Sequence, residues 1–441
     1  MGEAQRVDDL TTFADLLDDA PAASGSGRAG KIALIVFLVL VLATLGAGGG
    51  YVWWASAAPL GVPVVTSEPP AVPASEPAAI RLPTTGSMLV SVSGGEAYLG
   101  PDASGAWVSS GGDEPRPIAS IAKLVTALVV LDRHPLASPD DPGPTLTFGE
   151  ADADLYDEFY VRGVTIARMP EGAQVSLHDA LATMLLPSAS NYAVAVARWG
   201  FGSESAYVNA ARSWLDANGL SSTRIMDATG IDERNTSTPS DLLALGKIAA
   251  ANPVVAAITG TSSISVPAGP GTVTNTNGLL GVEGIDGLKT GNLGEGSFNL
   301  LFTSDLDVGI GAPLRITGVR LGGTTHDSTD QDVVTLLQSI RAGFHEVPVG
   351  SVGAPIGEIT TAWGSRADII LARGASLMTW SDTPVTATLD VRTPETYADG
   401  ETVGTVTWTA GPHTTSAEVA ISGVIEEPSL WWRLTHPGEL G

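Results

Sequence analysis

Four lysines stand among 22 basic residues, at positions 31, 123, 247 and 289, and two of them have neighbours that suggest chemistry. Lys123 closes the run Ile118-Ala119-Ser120-Ile121-Ala122-Lys123. Ser120 and Lys123 are three apart, so on a helix both side chains share one face. The next stretch, LVTALVVLD, is apolar on nearly every side and reads as a buried helix that starts near Ser120, after Pro115 and Pro117. A buried Lys prefers to be neutral, and a neutral Lys beside a Ser can take its proton. Arg stays protonated in proteins and cannot do this. The bland alternatives are an N-cap for Ser120 and a snorkelling side chain for Lys123, the latter awkward in so apolar a helix. A second segment, Gly284 to Asn292, holds Lys289-Thr290-Gly291, a cation and a hydroxyl for a substrate carboxylate, with a Gly that admits close approach to the backbone. A third, Met184 to Ala193, places Ser188 between two apolar helical stretches, where it serves as a proton relay or simply as a helix–helix turn.

Each motif alone is weak. Their order is more specific: S-x-x-K, a Ser/Asn loop 68 residues on, and K-T-G 101 residues further. That order resembles the penicillin-recognising serine hydrolases. The flanks PIASIAKLVTAL, MDATGIDERNTSTPSDLLALGKIAA and VTNTNGLLGVEGIDGLKTG are similar to the low-molecular-mass D-alanyl-D-alanine carboxypeptidases, over about Ser87 to His345. The resemblance implies an α+β, β-lactamase/DD-peptidase-like catalytic domain, with a central mainly antiparallel sheet, helices on both faces and a helical cluster. It implies that Ser120 is the acylated nucleophile, Lys123 its base, and Ser188 the proton donor to the leaving D-Ala nitrogen. Lys289, Thr290 and Gly291 would receive the terminal carboxylate, and the backbone N–H groups of Ser120 and Asn292 would form the oxyanion hole. No metal or cofactor is required. The partners implied are the D-Ala-D-Ala end of peptidoglycan stem peptides and, as inhibitors, β-lactams.

One departure bears on rate. The family's middle motif is S-x-N, whereas here Ser188-Ala189 is followed by Ser190 and then Asn191. Either Ser190 replaces the motif Asn, which is the register favoured here, or the turn shifts and Asn191 does its work. A Ser is shorter than an Asn, so a catalytically weak penicillin-binding or wall-binding protein is the alternative reading. A class A β-lactamase needs E-x-x-x-N after this motif, and neither Glu204 nor Glu233 has Asn four residues later. A Ser-His-Asp hydrolase fits poorly, because none of the six His has a matching context and G-x-S-x-G is absent. Glu150, Asp152, Asp154, Asp157 and Glu158 lack the spacing of an EF-hand loop and read as a solvated insertion near the cleft. Lys247 reads as an exposed helix position.

These residues need a scaffold, and 441 residues suggest about three parts at roughly 150 residues each. The formal charge of −26 argues against nucleic acid as a partner. The absence of Cys excludes disulfides, thiolate metal sites and a Cys nucleophile. Residues 32–54 are uncharged and long enough to cross the ~30 Å hydrocarbon layer as a single transmembrane helix. Arg28 and Lys31 precede the run, so residues 1–31 should be cytoplasmic and the catalytic domain extracytoplasmic. Ala55-Ser56-Ala57 offers the rival of a cleaved signal peptide. Residues 7–20 carry an apolar helical periodicity with interspersed Asp, a candidate motif for a cytoplasmic partner. Residues 55–86 are Pro/Ala-rich and read as an extended spacer. The catalytic domain should span 87–345. Residues 346–425 contain ADIILA, SLMTW, VTATLDVR, TVGTVTWTA and TSAEVAIS, short strands of a small all-β sandwich. In the tail, 426–441, Ser429 to Leu434 is amphipathic and suits either packing on the β-domain or contact with membrane or a partner.

Overall fold

The protein is described here from a computed structural model that covers residues 27–441, so the 7–20 segment lies outside the described residues. Gly27–Ala57 is one helix of 31 residues, longer at both ends than the uncharged run within it. Its apolar side chains, from Ile32 to Leu45, are exposed on all sides. A helix that is apolar all round and touches nothing along most of its length suits a lipid surrounding.

The domain expected to be catalytic is built on a five-stranded sheet in the order Ile285–Gly291, Phe298–Leu306, Leu314–Gly323, Ser87–Ser93, Val108–Ser110. Every pairing in it is antiparallel. Successive side chains alternate between its two faces, as the period of a strand requires. Leu89, Leu301, Val319 and Leu321 join the core shared with the helices Ala122–Arg133 and Pro239–Ala251. Met88, Val90, Leu300, Phe302 and Ile316 pack instead against Val333, Leu336, Leu337 and Ile340 of the helix His326–Gly343. Each such buried side chain is worth about 1.5–3 kcal/mol. The first of these cores continues into the helical cluster, Leu177–Leu185, Ser190–Phe201 and Glu204–Ala217, so sheet and cluster meet on one apolar surface. Side-chain oxygens of Ser176, Ser203 and Thr238 cap three of these helices.

Beyond Phe344 the chain forms a sandwich. One sheet has six strands, in the order Val64–Ser67, Pro355–Thr360, Arg366–Leu371, His413–Ser422, Thr402–Ala410, Thr386–Val391. The other pairs Phe344–Gly350 with Ala375–Trp380. The fully buried Trp408 lies at the centre of its core, with Val347, Ile359, Ile369 and Val419. One edge strand of the larger sheet, Val64–Ser67, comes from the Pro/Ala-rich segment. That segment is extended, as expected, but it is not a free spacer. Ala78 N–H donates to Ser381 Oγ at 2.9 Å, Arg81 N–H donates to Ser339 Oγ at 3.0 Å, and Ile80 and Leu82 pack on the catalytic core.

Candidate active site

The segment around Ser120 sits where the sheet meets the helical cluster. Ala119–Ile121 is a single 3-10 turn, and the α-helix begins at Ala122. Ala119 has φ 51°, a left-handed value that costs a non-Gly residue about 1–3 kcal/mol. The turn leaves Ser120 partly exposed while Lys123 is 0% exposed. Lys123 Nζ lies 2.8 Å from Ser120 Oγ and donates to the Thr229 carbonyl at 2.7 Å. With a nitrogen hydrogen committed to Thr229, the lone pair of a neutral amine is free to face the hydroxyl. Burial holds the Lys123 pKa well below the ordinary lysine value, and the Lys289 cation adds to this, while Asp227 opposes it.

The Thr229 carbonyl is fixed by a loop that the sequence reading quoted without giving it a role. Asp227 Oδ1 accepts from the N–H groups of Thr229 and Gly230 and from the Thr229 hydroxyl, each at 2.7 Å. Its Oδ2 accepts from Asp232 N–H at 3.0 Å and Asn235 Nδ2 at 3.2 Å. Burial pushes the Asp227 carboxyl up, but these bonds outweigh it and the net shift is downward, so it stays ionised. Asn235 Oδ1 accepts from Met226 N–H at 2.8 Å, and its own carbonyl accepts from Ile118 N–H at 3.0 Å. Gly230 has φ 82°, and a Cβ there would stand 1.9 Å from the Ala119 carbonyl oxygen. The loop therefore lies directly on the backbone of the nucleophile turn.

Lys289, Thr290 and Gly291 end the strand Ile285–Gly291. Lys289 is 1% exposed, and burial lowers its pKa to about 7. Its Nζ donates to the Thr290 carbonyl at 2.9 Å. Thr290 Oγ1 lies 2.7 Å from Thr276 Oγ1, and Thr276 N–H donates to the Leu186 carbonyl at 2.9 Å, which links this strand to the middle motif. A Cβ on Gly291 would meet the Ile118 carbonyl oxygen at 2.7 Å, so Gly is what allows strand and nucleophile turn to touch. Asn292 is exposed, and its Oδ1 accepts from Gly294 N–H at 2.7 Å.

Ser188 has φ 68° and a buried Oγ with no hydrogen-bond partner. A buried hydroxyl of that kind in a left-handed loop is a group kept available at a cost. The helix after it starts at Ser190, whose N–H donates to the Thr165 carbonyl at 2.9 Å. Asn191 is occupied elsewhere. Its Oδ1 accepts from Ala167 N–H at 3.1 Å and its Nδ2 donates to the Ala167 carbonyl at 2.7 Å. Both ends of that amide are used in holding the segment that follows the acidic helix Glu150–Val161.

Sequence reading missed the supports. Asp227, Asn235 and Thr276 lay in quoted segments, where a D-x-T-G turn and an N-T-N run were the available signals. Asn299 had no signal at all, yet its Nδ2 donates to the Pro117 carbonyl at 3.0 Å and its Oδ1 accepts from Gly322 N–H at 3.0 Å. Lys247 is not simply an exposed helix position, because its Nζ donates to the Ser104 carbonyl at 2.6 Å and partial burial lowers its pKa. Among the described residues, no group of three or more His, Asp or Glu is arranged to hold a metal ion.

With the geometry in hand, comparison with known proteins is informative. The profile of the D-alanyl-D-alanine carboxypeptidase family matches residues 102–308. A D-alanyl-D-alanine endopeptidase of Haemophilus influenzae is 28% identical over 198 residues, 44% of this chain and 64% of the relative. One from Pseudomonas aeruginosa is 35% identical over 129 residues, 29% of this chain and 38% of the relative. The chain thus spans less than two thirds of these two relatives' lengths. The D-alanyl-D-alanine carboxypeptidase DacD of Salmonella typhimurium is 27% identical over 265 residues, 58% of this chain and 65% of the relative. In fold, the chain is similar to penicillin binding protein 6B from Escherichia coli, with a TM-score of 0.52 at 19% identity, over 82% of this chain and 99% of that one. It is also similar to penicillin binding protein 5 from Haemophilus influenzae, with a TM-score of 0.50 at 18% identity, over 82% of this chain and all of that one.

Proposed function

We propose, from the premise that this chain belongs to the D-alanyl-D-alanine carboxypeptidase family, that it is a serine-type hydrolase which removes the terminal D-Ala from peptidoglycan stem peptides. The observation that carries this is the buried Lys123 with Nζ 2.8 Å from the Ser120 hydroxyl and a fixed carbonyl behind it. A lysine whose pKa burial lowers so far can accept the Ser120 proton as Oγ bonds to the carbonyl carbon of the penultimate D-Ala. The oxyanion that forms is received by the N–H groups of Ser120 and Asn292. The C–N bond then breaks, and D-Ala leaves with a proton passed through Ser188, whose unpartnered Oγ supports a relay role. Water hydrolyses the ester, with Lys123 again as base. Lys289 and Thr290 face the substrate carboxylate. The full engagement of Asn191 with Ala167 supports Ser190 as the third residue of the middle motif. Among the described residues one helix is long and apolar enough to span a membrane, which supports a single-pass membrane protein, and Arg28 and Lys31 support a cytoplasmic N-terminus with the hydrolase outside.

A second reading has its own support, since relatives at 28% and 35% identity are named endopeptidases. The same acyl transfer would then cut a cross-bridge, with an amine-bearing second stem as the leaving group. One experiment separates the readings. Purified protein and a Ser120→Ala control are given a diacetyl-Lys-D-Ala-D-Ala peptide, and separately a cross-linked muropeptide dimer. Release of free D-Ala above the control supports the carboxypeptidase, and conversion of dimer to monomer supports the endopeptidase. Neither product, with fluorescent penicillin still bound at Ser120, leaves a penicillin-binding protein without turnover. Loss of labelling as well defeats the whole reading.

A further inference from the structure

The helices that start at the reaction site end at a second concave surface. Ala122–Arg133 begins beside Ser120 and Ser190–Phe201 begins at Ser190, and each has 12 residues. At 1.5 Å per residue their far ends lie about 18 Å from the site. There, with the helix Glu204–Ala217, they line a pocket of about 530 Å³, within the roughly 300–1,000 Å³ of small-ligand sites. Two aromatic rings, Phe201 and Trp214, line it, and both are only partly buried against the core of the domain. The Arg133 guanidinium lies over the Phe201 ring, 5.2 Å from its centroid, which leaves Trp214 as the ring free to take a ligand. Asp132 lines the same pocket, and its carboxylate has no hydrogen-bond or ion-pair partner among the described residues. Asn218 Nδ2 donates to the Trp214 carbonyl at 2.8 Å, so its Oδ1 remains an acceptor. The guanidinium and Trp214 Nε1 supply donors.

An aromatic floor edged by free donors and acceptors suits a sugar. A pyranose ring has C–H faces that stack on an aromatic ring, and an edge of hydroxyls that both donate and accept. An apolar peptide segment would bury the Asp132 carboxylate without a partner, and a polyanion would be repelled by it. We infer that this pocket binds an N-acetylhexosamine unit of the peptidoglycan glycan, with Trp214 as the stacking platform and Asp132, Asn218 and Arg133 on the hydroxyl and amide groups. The inference rests on the reading of peptidoglycan as substrate. A stem of about four residues before the scissile bond spans about 14 Å when fully extended, short of the ~18 Å through the domain, and a path over the surface is longer still. The sugar held here is therefore not the one whose stem lies at Ser120. The pocket holds the enzyme on the polymer and leaves the site open to a neighbouring stem.

Full-length protein in detergent micelles is titrated with chitotetraose, a β-1,4 tetramer of N-acetylglucosamine, by calorimetry. Wild type and Ser120→Ala should bind alike, since the nucleophile is remote. Trp214→Leu, which keeps an apolar side chain on the core, should weaken Kd about tenfold or more. Ser213→Trp, at an exposed position of the pocket, should abolish binding by filling the space without removing a core contact. Both pocket variants should release D-Ala from the diacetyl-Lys-D-Ala-D-Ala peptide at the wild-type rate, and both should cosediment less with insoluble glycan stripped of its stems. No binding of millimolar chitotetraose by wild type overturns the inference, and so does binding that survives Ser213→Trp. Binding unchanged by Trp214→Leu refutes the stacking platform. Binding lost in Ser120→Ala places the sugar at the reaction site and also overturns it. D-Ala release without saccharide binding defeats this pocket alone, whereas saccharide binding without D-Ala release defeats the carboxypeptidase reading and leaves the pocket standing.

Discussion

Lys123 and Lys289 are two buried amines in one site, and their titration sets the expected pH behaviour. Lys123 is held well below the ordinary lysine value, first by burial and then by the other cation. Lys289, lowered by burial to about 7, is half protonated at that pH. As pH rises through about 7, the free enzyme loses the cation that would face a carboxylate, so kcat/KM should fall. Bound carboxylate favours the ammonium, so kcat should fall off at higher pH than kcat/KM. Parallel pH profiles of the two constants check this, and coincident falling limbs would count against the carboxylate role. The same shift works on stability. Unfolded lysine titrates near 10.4, so between about 7 and 10.4 the unfolded chain binds more protons and stability rises with pH. Below about 7 the cost is fully present. Lys289→Met should therefore melt about 2–4 °C higher at neutral pH by calorimetry while losing turnover of carboxylate-ended peptides. Ser190→Asn, which supplies the longer amide, should raise the hydrolytic rate, and a fall would argue against Ser190 as the motif position. The closeness of Ser120 and Lys123 was legible from their spacing on an apolar helix, while the chemistry proposed for them rests on the order of three motifs, each weak alone. For the middle motif the sequence favoured Ser190 over Asn191 without a physical reason, and the bond from Asn191 to Ala167, a partner 24 residues away, is the support it could not supply.

At the level of elements, the loop from Met226 to Ser237 governs the site without supplying a reacting side chain. Gly230→Ala would place a methyl 1.9 Å from the Ala119 carbonyl. That displacement, together with the positive φ, should cut acylation by penicillin by about 10²-fold, since small misplacements of reacting groups are that costly. Asp227→Ala removes the acceptor for five donors and should destabilise the protein by about 2–4 kcal/mol in urea titration. Asn191→Ala strands both backbone groups of Ala167 and should cost about 2–3 kcal/mol, with the loop near Thr165 exchanging amide hydrogens faster. Helices and strands were readable from apolar periodicity, and the five quoted β-runs of the last domain each correspond to a strand. The supports of the site were not readable, since a side-chain bond to backbone such as Asn299 to Pro117 leaves no periodic trace.

For the whole molecule, the Pro/Ala-rich segment changes the architecture. Read as composition, it is a spacer. In the structure, Val64–Ser67 is a strand of the last domain's sheet, and Ile80 and Leu82 seal the catalytic core. Composition reports stiffness and cannot report a sheet edge waiting nearly 300 residues away. A soluble fragment beginning at residue 87 should therefore melt below one beginning at residue 58, by about 2–8 °C if about 1–2 kcal/mol is lost. Equal melting temperatures would show that the strand adds nothing. The −26 charge argues against nucleic acid as a partner, whereas the site relies on two buried lysines, the ionised Asp227 and neutral groups.

The pairing of Val64 with Thr360 also sets a timetable for the newborn chain. The strand at 64–67 emerges from the ribosome before the entire catalytic domain, and its partner emerges only after that domain. During synthesis at roughly 5–20 residues per second, the early strand waits tens of seconds with an unpaired edge. The prolines at 69, 70 and 73 that follow it lack the N–H groups another strand would use, and so they limit how far a wrong pairing could extend beyond residue 67 while it waits.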